Sequence, residues 1–280
     1  NANHKIFGAK THKTRQKYRE KVVLLREEMI NILREKGSIG NDEVYQLKKW
    51  DMFNQNDHAD FFDTEWMFGI KNGFDIIIAN PPYVNANDLK KSLGEDAYKH
   101  LKSLFVTAKG TVDFYVYFFE KGIRLLRPNG VLTYITPNKY LSANYGKALR
   151  NYLYNNTRLR HLVDVSRNNI FDASIYPIII NLTKETRRND YYFTACDKNN
   201  IERTFASSQL VTLPDLIWGF VLSSNYGLTR KMIAQCEPIT RVCRINATST
   251  ASEADDFHDY ITETNGLRLI NTGTIDKYLP

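Results

Sequence analysis

Apolar and polar positions alternate along this chain in two different rhythms, and the change between them falls near residue 74. Before it, Tyr18, Val22, Leu25, Met29 and Ile32 recur at steps of three and four, which predicts an amphipathic helix ending near Gly37. After it come short β-branched runs closed by turn residues. Phe74 to Ala79 predicts a fully buried strand stopped by Asn80-Pro81-Pro82-Tyr83. Asp88 to Leu104 is polar with weak helical spacing, and Thr111 to Arg127 predicts a helix stopped by Pro128-Asn129-Gly130. Val131 to Ile135 predicts a second strand leading into Thr136-Pro137-Asn138, followed by a helix over Lys139 to Tyr154. Leu159 to Val165 and Tyr176 to Leu182 predict two further strands, with Phe171-Asp172 in their connection.

This rhythm of strand, turn and helix is that of an α/β fold of the doubly wound kind, in which ligands sit beyond the carboxyl ends of the strands. The chemistry is therefore expected at Asn80 to Tyr83 and at Thr136 to Asn138. Three regions follow from the pattern: a basic helical segment over 1–40, a catalytic α/β domain over 41–200, and a linker with the beginning of another domain over 201–280. No apolar run approaches a membrane span, and the polar, basic start carries no secretory signal. Three cysteines without a Cys-x-x-Cys spacing frame neither a disulfide scaffold nor a zinc site, which fits a cytoplasmic protein. The chain begins without Met and stops just after Asn271-Thr272-Gly273-Thr274, so a fragment of a longer protein is expected.

Charge sharpens the picture at the N-terminus. Residues 1 to 37 hold ten Lys and Arg against four acids, which is six of the seven net positive charges of the 280 residues. Such a helix can approach a polyanion, or it can present a merely solvated face. The next block sets Asp51, Asp57, Asp60, Asp63 and Glu65 among Trp50, Phe53, Phe61, Phe62, Trp66 and Phe68. Clustered carboxylates could hold a divalent metal, but no Lys stands two residues after an acid as a common nuclease pattern requires. An acidic surface loop pinned by aromatics is expected, with no metal site.

Asn80-Pro81-Pro82-Tyr83 carries the most specific chemistry. Two prolines fix the backbone and remove two N–H donors, so carbonyls project as acceptors beside the Asn80 side-chain oxygen. Tyr83 adds a flat face for a conjugated ring. Together they suit a planar NH2 group, such as that of adenine, cytosine or an amide. Accepting both amine hydrogens prepares its nitrogen to attack an electrophilic methyl group. A structural strand-ending turn is the plain alternative.

Phe74 to Tyr83 resembles motif IV of amino-group methyltransferases that use S-adenosylmethionine. Thr111 to Leu141, with Asp113-Phe114-Tyr115, Glu120-Lys121, Leu125 to Val131 and Ile135-Thr136-Pro137, is similar to the helix and strand that follow in the gamma class of DNA adenine-N6 methyltransferases. Val165 to Leu182 resembles that class's later strand hairpin, and Leu269 to Tyr278 the entry to the target-recognition domain of type IIG restriction-modification enzymes. The resemblance implies a partial Rossmann-like methyltransferase fold and double-stranded DNA as partner. It implies Asn80 and the Pro81 carbonyl as holders of the adenine amine, and Tyr83 and Phe171 as covers for the two faces of a flipped base. It implies Pro82, Phe114 and Phe118 as the lining for the cofactor's adenine ring, although phenylalanines on the inner face of a helix also serve as core.

The family's glycine-rich loop and second-strand acid, which grip the methionine and ribose of S-adenosylmethionine, have no counterpart here. The cofactor site is thus expected to be incomplete, and the isolated chain inactive. Two other functions share the motif or the fold: a protein glutamine-N5 methyltransferase, whose side-chain amide is also a planar NH2, and a non-catalytic DNA-binding fragment.

Overall fold

The computed structural model describes residues 5, 6, 8–51, 53, 54, 56, 57, 59–168, 175–186, 189–238 and 241. Its contacts divide the chain into two units, 1–229 and 230–280. The first unit carries a six-stranded mixed sheet, so the α/β expectation holds.

Helix α1 (His12–Glu35) begins at Thr11, whose side chain accepts from the Thr14 backbone N–H. It exists as expected but is rotated: Val22 and Ile30 are buried, whereas Leu25, Met29 and Ile32 face solvent. The cause is Arg26. Its guanidinium stacks over Trp50 at 4.7 Å and Trp66 at 5.5 Å and donates to the Trp66 carbonyl, so a nominally polar position turns inward. The region expected as a loop holds α2 (Asn41–Lys49) and the short α3 (Thr64–Phe68). Its aromatics pin it as expected, with Phe68 packed edge-on to Trp50 at 6.3 Å and Phe74 at 6.0 Å. Its carboxylates close turns: Asp51 accepts from the Phe53 N–H, Asp57 from that of Asp51, and Asp63 caps α3.

β1 (Phe74–Ala79) pairs in parallel with β2 (Leu126–Pro137). The expectation of a fully buried strand is corrected, because β1 is the edge of the described sheet and exposes Ile76 (63%) and Ile78 (77%) while Ile77 and Ala79 pack inward. Between the two strands run α4 (Ala86–Leu93), α5 (Glu95–Ser103) and α6 (Tyr115–Leu125). β2 is longer than its apolar run, since Pro128-Asn129-Gly130 lies within it as an irregularity, Asn129 taking a φ of 62°.

The helix predicted from Lys139 starts later. Two 3-10 turns, Asn138–Leu141 and Asn144–Gly146, precede α7 (Lys147–Asn156). β3 (Thr157–Asp164) and β4 (Pro177–Lys184) follow, and β4 runs antiparallel between β2 and β3. Beyond them β5 (Tyr192–Cys196) lies parallel to β3, and β6 (Glu202–Ala206) pairs antiparallel to β5. Helix α8 (Ser208–Thr212) and 3-10 turns at Pro214–Leu216 and Trp218–Leu222 follow, with Trp218 fully buried, and a last helix, α9 (Tyr226–Gln235), begins with buried Tyr226. No helix among the described residues is long and apolar enough to cross a membrane.

Candidate active site

Asn80 to Tyr83 continues β1 beyond its last paired residue, so its position is set by the sheet. Pro81 is buried, Asn80 and Pro82 are exposed, and Tyr83 is half-buried. Three bonds hold the turn. The Tyr83 hydroxyl donates to the Ile135 carbonyl in β2 at 3.2 Å, and the Val84 carbonyl accepts from the Phe114 N–H at 2.8 Å. Asn85 then caps α4 by accepting from the Asp88 N–H at 3.0 Å. Burial raises the Tyr83 phenol pKa, so it stays a neutral donor at physiological pH. The Asn80 side chain makes no hydrogen bond among the described residues, which leaves its amide oxygen available as an acceptor.

Beside this turn, past the carboxyl ends of β1 and β2, lies a cavity of about 200 Å³ walled by Tyr83, Asp113, Tyr115, Pro137, Asn138 and Tyr176. That volume is below the ~300–1,000 Å³ of a typical small-molecule site, so it suits one inserted ring rather than a whole nucleoside cofactor. Two of its lining residues, Asp113 and Tyr115, are joined through Tyr145 by hydrogen bonds. The Tyr115 and Tyr145 hydroxyls lie 2.8 Å apart, and Tyr145 donates to the Asp113 carboxylate at 3.0 Å. Burial pushes both phenols well above their usual range, which keeps them protonated.

Phe114 and Phe118 meet edge-to-face at 5.1 Å, half-buried against the main core. Asn80 is not in the cavity wall, and Phe171 lies outside the described residues. Tyr145, Lys139 and Tyr176 escape the sequence reading. Tyr145 and Lys139 lie in what reads as a continuous helix, and Tyr176 reads as part of a strand. As a holder of S-adenosylmethionine the described part fits at one end only. Aromatic surface for an adenine ring is present at Phe114 and Phe118, but no glycine-rich turn adjoins the bare edge of β1 among the described residues. Among the described residues no group of three His, Cys, Asp or Glu could hold a metal ion.

Residues 4–171 match the family model described as Eco57I restriction-modification methylase. A type II methyltransferase of Aneurinibacillus aneurinilyticus, M.BanIII, is 31% identical over 55% of this chain and 26% of its own length. The type II restriction enzyme and methyltransferase RM.Eco57I of Escherichia coli is 29% identical over 49% of this chain and 15% of its own. The chain therefore spans about a quarter or less of these relatives. Among solved structures, the type IIG restriction endonuclease BpuSI aligns at 16% identity with a TM-score of 0.41, covering 67% of this chain and 28% of that one.

Proposed function

Because the chain belongs to the Eco57I restriction-modification methylase family, we propose that it is the amine-handling part of a site-specific DNA adenine-N6 methyltransferase of a restriction-modification enzyme, of the gamma class and type IIG kind. The observation that carries this reading is the Asn-Pro-Pro-Tyr turn, fastened to β2 and α6 at the rim of a ring-sized cavity.

The target amine sits against the Asn80 side-chain oxygen and the Pro81 carbonyl, which accept its two hydrogens. This draws the nitrogen's lone pair out of conjugation with the ring and leaves it nucleophilic without a strong base. Tyr83 stacks on one face of the base, its plane set by the hydroxyl's bond to Ile135. The other face is assigned to Phe171 on the family resemblance alone, since that residue lies outside the described residues. A base in a duplex must leave the stack before its amine can be reached, and the aromatic faces offset part of that cost. S-adenosylmethionine supplies the electrophilic methyl group, with Pro82, Phe114 and Phe118 holding its adenine ring. The described residues give no grip for its methionine, so these 280 residues by themselves bind it poorly and are inactive. The basic face of α1 approaches double-stranded DNA, and the setting is a prokaryotic cytoplasm.

The test offers the full natural polypeptide labelled S-adenosylmethionine with either duplex DNA or a glutamine-bearing protein substrate. Label on DNA alone supports the reading. Label on the protein substrate replaces it with glutamine-N5 methylation, and label on neither with a non-catalytic DNA-binding role.

A further inference from the structure

A second cavity, of about 300 Å³, adjoins the first, and the two share Asn138 and Lys139. Its lining is mixed: beside Leu141 and Leu222 it carries the hydroxyls of Ser142, Ser223 and Ser224, two lysines, Lys139 and Lys198, and one carboxylate, that of Asp164. That carboxylate already accepts from the Ser166 N–H at 2.9 Å, whereas neither lysine has an ion-pair partner among the described residues. The ridge between the cavities is rigid. Buried Arg150 donates to the carbonyls of Tyr140 at 2.5 Å and Ala143 at 2.9 Å, and the Asn138 N–H donates to the Tyr176 carbonyl at 3.0 Å. Gly219 also lines it, and a side chain added there would displace the Ser142 hydroxyl.

A ring-sized cavity that opens past a shared lysine into a trough bearing hydroxyls and excess positive charge suits a nucleotide whose base is inserted and whose backbone runs away from it. Lysines and hydroxyls are common partners of phosphate oxygens. We propose that this trough holds the sugar-phosphate backbone of the target strand next to the extruded base, with Lys139 on the phosphate nearest the base and Lys198 on the one beyond. The inference rests on the DNA reading above and adds to it the residues that position the strand. They touch neither amine nor methyl, so they are positioning residues.

The test measures binding of the full natural polypeptide to duplex oligonucleotide across a salt series, for the unaltered protein, Lys139→Gln, Lys139→Arg, Lys198→Gln and, as a control outside the trough, Lys109→Gln. Each phosphate deprived of its lysine lowers the slope of log affinity against log salt by about 0.9 for duplex and 0.7 for single strand. Lys139→Gln and Lys198→Gln are expected to lower it by roughly that amount each, while Lys139→Arg and Lys109→Gln keep the original slope. Unchanged slopes for both glutamine variants, or the same decrease in the control, would overturn the trough and leave the methyltransferase reading standing. Absence of DNA binding by the unaltered protein would overturn both.

Discussion

The Tyr83 hydroxyl donates to the Ile135 carbonyl at 3.2 Å, which ties the end of one strand to its neighbour across the mouth of the cavity. The ring thus has two separable jobs, a tether and a face. Tyr83→Phe removes the donor and keeps the face, whereas Tyr83→Ala removes both. Base–aromatic stacking contributes about 1–3 kcal/mol, so Tyr83→Ala is expected to lower methyl transfer roughly 10- to 100-fold and Tyr83→Phe far less. Steady-state rates on duplex DNA check this. Equal losses in the two variants would assign the residue's role to the tether alone.

Arg150 is buried and reaches three carbonyls, those of Tyr140, Ala143 and Asp215, the last at 3.1 Å. It joins the turn after β2 to the turn at Pro214–Leu216, where Asp215 and Leu216 take φ values of 49° and 56°. Arg150→Met leaves those carbonyls unpaired in the interior, at about 3 kcal/mol. This is a fall of roughly 6–12 °C in Tm for a unit of this size. Gly146→Ala acts in the same direction, because the added methyl meets the Tyr140 carbonyl oxygen. Thermal unfolding followed by circular dichroism checks both, and an unchanged Tm in Arg150→Met would contradict the clamp.

How far these features were legible beforehand depended on how local their causes are. β1, α6 and the Asn80–Tyr83 turn were readable because a β-branched run, a helical stripe and two consecutive prolines act within a few residues. The inward face of α1 escapes the hydrophobic pattern because half-buried Arg26 stacks on Trp50 and Trp66, which lie 24 and 40 positions further on. The 3-10 turns at Asn138–Gly146 read as helix because their apolar spacing is nearly helical, and the Arg150 bond to the Tyr140 carbonyl leaves no trace in that spacing. The Asp113–Tyr145 bond spans 32 positions and leaves no periodic trace. β5 and β6 were missed because both are short, and Arg203 and Asp197 sit in and beside them as a pair no hydrophobic pattern reveals.

Asp190 links pH to the strand before α8. Hydrogen bonds from the Ser207 hydroxyl first, then from the hydroxyl and backbone of Ser208, hold its carboxyl at about 2. A pKa depressed below the unfolded value of about 3.9 means stability fully present above that value and lost as pH falls through the folded one. Between pH of about 4 and 2 the Tm of the unaltered protein is therefore expected to fall more steeply than that of Asp190→Asn. Parallel curves would show that the contact does not discriminate the folded from the unfolded chain.

Asn80 and Pro81 are proposed to hold an adenine amine ready for methylation. The most direct measurement incubates duplex DNA with the full natural polypeptide and S-adenosylmethionine, digests the DNA to nucleosides and quantifies N6-methyladenine by mass spectrometry, for the unaltered protein and for Asn80→Ala. N6-methyladenine is expected with the unaltered protein, falling by at least about a hundredfold in the variant, with DNA affinity nearly unchanged. Methylation that survives in Asn80→Ala, or that appears on another base, would contradict the proposal.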